Sequence, residues 1–215
     1  RGRWFDPSNA HKVLIFESRM KKVILVDLDH TLIRTAHLKE HTIAIAKRLG
    51  IAPKVARENL AAAIAGKPFH IRSYARRLSS SKHHRAALLK EFLKLYEKPK
   101  RYNFSGVEHF LRKLSRRYVL MLLTHGHPEY QSWKVDQSKL RHFFDRIIVT
   151  RDHTKRRELA PLYKKFGKDV TLIDDSRTVI AVARSIGMRA FLVKKGDKEG
   201  EYYDGLASRI NKLKW

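Results

Sequence analysis

The residues best placed for chemistry in this chain are aspartates that follow apolar runs. Val23-Ile24-Leu25-Val26 leads into Asp27-Leu28-Asp29-His30-Thr31-Leu32-Ile33. Four branched apolar residues in succession predict a strand buried on both faces. Carboxylates are seldom buried without partners. Alternation sends Asp27 and Asp29 to the same side, at the strand's carboxyl end, where open α/β sheets bind their ligands. Such a pair suits a hard cation, and one member suits attack on an electrophile. The alternative is a strand end that caps the following turn.

Three further polar groups repeat the pattern. Leu120-Met121-Leu122-Leu123 is followed by Thr124-His125-Gly126. A hydroxyl there, with the next backbone N–H groups, suits a phosphate oxygen; the plainer role is a helix cap. Val170-Thr171-Leu172-Ile173 is followed by Asp174-Asp175-Ser176. Four converging carboxylates would repel one another unless a divalent cation joined them, and all-oxygen ligation favours Mg²⁺ over Zn²⁺. Lys155 opens a predicted helix before the second acidic pair. It suits a phosphate or a nucleophile, or is one more surface lysine beside Arg156, Arg157, Lys164 and Lys165.

These groups need a scaffold. From residue 104 onward helices and strands alternate: Val107–Leu114, Tyr118–Leu123, Glu129–Phe143, Arg146–Val149, Arg156–Phe166, Val170–Ile173, Thr178–Ile186 and Arg189–Val193. Repeated βα units predict a parallel sheet with right-handed crossovers. The expected fold class is α/β, a Rossmann-like three-layer core with a central parallel sheet. Residues 34–103 carry only helical periodicity, with Pro53 opening one helix and Ser81 capping another. They read as a helical insertion rising over Asp27 and Asp29. The expected core is thus 20–33 plus 104–215. Residues 1–19 read as an extension, with Val13–Phe16 its one apolar run.

The totals narrow the function. The chain has 215 residues, 43% of them hydrophobic, enough for one core domain with an insertion. It has no cysteine, which excludes disulfides and a thiolate nucleophile and fits a reducing, cytoplasmic setting. No apolar run approaches the roughly 20 residues of a membrane span. The formal charge of +26 points to anionic partners, either phosphorylated small molecules or nucleic acid. The insertion holds 17 Lys/Arg against four Glu. Arg72, Arg76 and Arg77 are its candidates for contacting an anionic substrate.

Taken in order, these groups resemble the motifs of the haloacid dehalogenase-like (HAD) superfamily. Val23–Ile33 matches its Asp-x-Asp-x-Thr-Leu motif, and Leu120–Thr124 its strand ending in Thr or Ser. Lys155 matches its helix-opening lysine, and Leu172–Ser176 its acidic pair. Ala183–Met188 continues the likeness, which covers residues 21 to about 195. The resemblance implies Asp27 as nucleophile through an aspartyl-phosphate, and Asp29 as acid and then base. It implies Mg²⁺ on Asp27, the backbone carbonyl of Asp29, Asp174 and Asp175. Thr124 and Lys155 would hold the phosphoryl oxygens, with His125 and Gly126 beside them. The helical insertion would be a cap that closes over the site.

Some positions depart from that pattern. His30 stands where glycine is frequent, and His125 where a small or amide residue is common. No acid follows Asp175 a few residues on. The expected activity is a Mg²⁺-dependent phosphatase for a small anionic phosphorylated metabolite or nucleotide. A nucleic-acid end phosphatase and a non-catalytic RNA- or ribosome-binding module are the other readings.

Overall fold

The computed structural model of the chain describes residues 22–65, 68–95, 102–194 and 200–213. The extension at 1–19, including Val13–Phe16, lies outside the described residues. β1 (Val23–Val26) is the middle strand of a five-stranded parallel sheet. β2 (Val119–His125) and β3 (Arg146–Thr150) lie on one side of it, β4 (Val170–Asp174) and β5 (Arg189–Leu192) on the other. The register aligns Val26 with Leu122 and with Ile173, so the polar residues that follow emerge along one edge.

Each face of β1 is covered by helices, which explains its unbroken apolar run. Ile24 and Val26 pack with α5 (Val107–Ser115) and α9 (Gly200–Asn211). Val23 and Leu25 pack with Leu159 of α7 (Arg156–Phe166) and with Val179, Ile180 and Ala183 of α8 (Arg177–Ser185). This is the three-layer α/β core expected from the alternation. α6 (Pro128–Gln137) follows β2. The helix expected over 129–143 is shorter. It stops at Gln137, Lys139 takes a left-handed φ of 59°, and a single 3₁₀ turn spans Arg141–Phe143.

Between β1 and α5 the described residues form α1 (Thr35–Arg48), α2 (Pro53–Ile64), α3 (Ile71–Leu78) and α4 (Lys82–Lys94). They bury a core of their own around Tyr74, Leu88 and Phe92. The Tyr74 hydroxyl donates to the Ala56 carbonyl at 2.9 Å. Ser81 caps α4 through the His84 N–H. The two connections to the sheet run side by side. Ile33 bridges Asn103, Phe104 N–H donates to Leu32 and Arg34 N–H to Tyr102. Among the described residues no helix is long and apolar enough to cross a membrane.

Candidate active site

Asp27 follows β1 directly, and its N–H donates to Ile173 of β4 at 2.9 Å. Its carboxylate is buried and meets Lys155. That ammonium lies 2.5 Å from Asp27 Oδ1, 2.7 Å from Asp174 Oδ2 and 2.9 Å from the Leu123 carbonyl. One lysine therefore ties together the ends of β1, β2 and β4. Lys155 reaches them from a left-handed backbone position, φ 58°, which costs an ordinary residue about 1–2 kcal/mol. The preceding turn holds it there. Lys155 N–H donates to the Asp152 carbonyl, and the Asp152 carboxylate accepts from Thr154 N–H and Oγ1.

One cation does not balance the acids. Asp175 brings a third carboxylate, and oxygens of Asp27, Asp174 and Asp175 lie within 4.8 Å of one another. Burial pushes the Asp27 carboxyl up to about 7; Lys155 opposes this, but Asp174 and Asp29 add repulsion. Burial also disfavours the Lys155 charge, yet the two carboxylates hold its pKa above the ordinary value. An all-oxygen cluster with surplus negative charge fits a hard divalent cation. Asp174 is the more enclosed member of its pair, with Ser176 N–H donating to Oδ1 at 2.8 Å.

Asp29 is turned away from this cluster. Lys134 of α6 places its ammonium 2.6 Å from both carboxylate oxygens. Gln131 Nε2 donates to Oδ2 at 2.8 Å and Thr35 Oγ1 to Oδ1 at 2.5 Å. Burial alone would raise this carboxyl; Lys134 and the two other donors outweigh it and hold it far below the usual carboxylate range. The side chain of Asp29 is therefore an ionised acceptor aimed at α6. Thr35, Gln131 and Lys134 were not singled out from the sequence. The only available signal was the one-turn spacing of Gln131 and Lys134 on the helix after Thr124.

Thr124 is fully buried at the end of β2 and accepts from Gln131 Nε2 at 3.1 Å. His125 is half-buried; desolvation first, then the Lys155 charge, lowers its pKa. Gly126 allows Gln131 to reach across, because a Cβ at 126 would lie 2.6 Å from Gln131 Nε2. His30 adopts φ 60°, the left-handed turn that glycine takes without cost.

These residues line a cavity of about 300 Å³ that holds Asp27, Asp29, Thr124, His125, Gly126, Lys155, Asp174 and Asp175. Arg72 and Arg76 are not brought there, and neither is Arg77. This corrects the expectation that they contact substrate. Ile71, Tyr74, Ala75 and Leu78 form the buried stripe of α3, so helical periodicity turns the three arginines to solvent.

A second cluster, His70, His127 and Glu129, sits where the insertion meets α6. The His70 and His127 rings stand edge to face at 4.5 Å. Arg72 N–H donates to His70 Nδ1, so Nε2 carries the proton and points it at Glu129, 3.4 Å away. A metal at Nε2 would need a lone pair there in place of that proton.

A sequence profile described as haloacid dehalogenase-like hydrolase matches residues 24–193. The chain belongs to this family of hydrolases. Solved structures share its fold. A haloacid dehalogenase-like hydrolase from Burkholderia xenovorans LB400 is 22% identical, with TM-score 0.65 over 85% of this chain and 84% of its own. A protein assigned as a β-phosphoglucomutase from Thermotoga maritima is 14% identical, with TM-score 0.63 over 88% and 99%. The L-2-haloacid dehalogenase of Xanthobacter autotrophicus, with chloropropionic acid covalently bound, is 14% identical, with TM-score 0.56 over 80% and 77%. No curated protein matches the chain.

Proposed function

We propose that this hydrolase is a Mg²⁺-dependent phosphomonoesterase that works through an aspartyl-phosphate on Asp27. The observation that carries the reading is the cluster of Asp27, Asp174 and Asp175 around one lysine. Displacing halide from carbon by a carboxylate has no need of that surplus charge. Attack on a phosphoryl dianion does, because two anions must approach. Mg²⁺ held by these three carboxylates would offset that repulsion.

Asp27 attacks phosphorus while Lys155 and Thr124 hold the phosphoryl oxygens. The ester oxygen leaves with a proton passed to it by Asp29, whose carboxylate holds none beforehand and takes it from solvent as substrate binds. Water then attacks phosphorus and loses its proton to Asp29, and Asp27 is released with inorganic phosphate. The helical insertion acts as a cap over this chemistry, moving on the paired connections at Ile33 and Asn103.

The test is hydrolysis of phenyl phosphate with Mg²⁺ and with EDTA, beside halide release from 2-chloropropionate. Phosphate release that needs Mg²⁺, without halide release, is expected. Halide release that ignores EDTA would replace this reading with dehalogenation.

A further inference from the structure

The wall facing the carboxylates has a different character from the rest of this basic protein. Leu38 and Leu60 contribute to it from α1 and α2, together with Ile64 and Phe69. Tyr130 of α6 completes it, and its ring meets Phe69 edge to face at 5.2 Å. Ile64 is 39% exposed, one of three large apolar side chains left open among the described residues, and it opens onto this cavity.

Polar groups on that wall are few and already engaged. The Thr42 hydroxyl donates to the Leu38 carbonyl of its own helix, and the Thr35 hydroxyl to Asp29. Among the described residues of the insertion, Lys39 is the sole charged side chain lining the cavity. A sugar or nucleoside would lose its water contacts here and find few replacements. An apolar group would exchange water for aliphatic and aromatic contact.

We propose that the site takes a phosphate monoester whose leaving group is apolar and ring-bearing, with at most one further anionic group, met by Lys39. This rests on the phosphomonoesterase reading and narrows its substrate. It revises the expectation of a strongly anionic metabolite, because among the described residues of the insertion Lys39 alone brings charge to the cavity. The phosphate sits at the carboxylates, and the ring lies against Leu60, Ile64, Phe69 and Tyr130.

The experiment compares benzyl phosphate with glycerol phosphate and glucose 6-phosphate, all esters of primary alcohols and so matched in leaving-group basicity. Benzyl phosphate should have a kcat/KM at least about tenfold higher, as apolar pockets discriminate on that scale. Affinity for benzylphosphonate against methylphosphonate, with Mg²⁺ present, reads the same pocket without turnover, and about tenfold tighter binding is expected there too. In Ile64→Asp, at an exposed position that tolerates the change, both ratios should fall toward one. Equal affinities for the two phosphonates, or a preference for glucose 6-phosphate, would overturn the apolar-substrate proposal. A retained phosphonate preference with none of the esters hydrolysed would instead overturn the phosphomonoesterase reading and leave the apolar pocket standing.

Discussion

Lys134 grips Asp29 from a helix 105 residues further along the chain, with its ammonium 2.6 Å from both carboxylate oxygens. Both side chains are mostly enclosed, the lysine at 4% exposure and the aspartate at 24%. The pair fixes the ionisation of Asp29, because the lowered carboxyl stays deprotonated throughout the neutral range. In Lys134→Met that restraint is gone and the Asp29 pKa should rise. As a base, Asp29 would then be lost as pH falls through its new, higher pKa. The acid limb of the kcat profile should move upward in the variant. Stability should fall by about 3 kcal/mol at pH 7, the low end for breaking a buried pair. That loss should shrink below pH 4, where the carboxyl of the variant is neutral. Denaturant unfolding and a pH–rate profile check both parts.

Gly126 and Gln131 form a second mechanical link to Asp29. A methyl group at 126 would meet Gln131 at 2.6 Å and push it off Asp29 and Thr124. Gly126→Ala should cost about 1–3 kcal/mol, the usual cost of overpacking. It should also lower kcat more than it raises KM, since the displaced groups act on the reacting atoms. Thermal unfolding and steady-state kinetics are the measurements.

The acidic cluster predicts how metal and pH act together. Asp27, with its pKa raised by burial to about 7, binds a proton that the unfolded chain has already released. The folded state therefore binds more protons between about pH 4 and 7, and stability without metal falls as pH rises through that window. Mg²⁺ relieves the repulsion only once Asp27 has ionised. The rise in Tm on adding Mg²⁺ should be small at pH 5 and larger at pH 8, as read by thermal scans with Mg²⁺ and with EDTA. Asp174→Ala should reduce the rise at pH 8.

The outer face of α3 bears on the anionic partners expected from the overall charge. We propose that Arg72, Arg76 and Arg77 serve long-range attraction, including to nucleic acid, and not substrate contact. Reversing all three to Glu should leave KM for a small monoester within about threefold at 0.15 M salt, where the Debye length is near 8 Å. The same variant should weaken RNA binding and flatten its salt dependence, measured by titration across ionic strengths.

Much of this arrangement was legible in the chain because strand ends announce themselves. Apolar runs buried on both faces are distinctive, and Asp27, Thr124 and Asp174 follow such runs directly. Lys155 gained its meaning from its place in that order, although its left-handed backbone left no mark beyond the turn residues before it. Lys134 was not legible. Among 47 lysines and arginines a buried one has no local signature, and its partner is distant in sequence. The arginines of α3 misled for a related reason. Composition reports how much charge a segment carries, whereas helical phase decides which way it faces. Helix α9 was also missed, since Tyr203, Leu206, Ala207 and Ile210 are apolar at helical spacing but follow the recognisable motifs.

The most direct test of the account is phosphate release by wild type and by Asp27→Asn, each with and without Mg²⁺. The amide keeps the shape of the side chain but cannot form the acyl phosphate. Wild type should release inorganic phosphate from benzyl phosphate only with Mg²⁺, and Asp27→Asn should be slower by about a thousandfold or more, as when a nucleophile is removed. Equal rates for the two proteins, or a wild-type rate indifferent to EDTA, would contradict the assignment of Asp27 as a metal-assisted nucleophile.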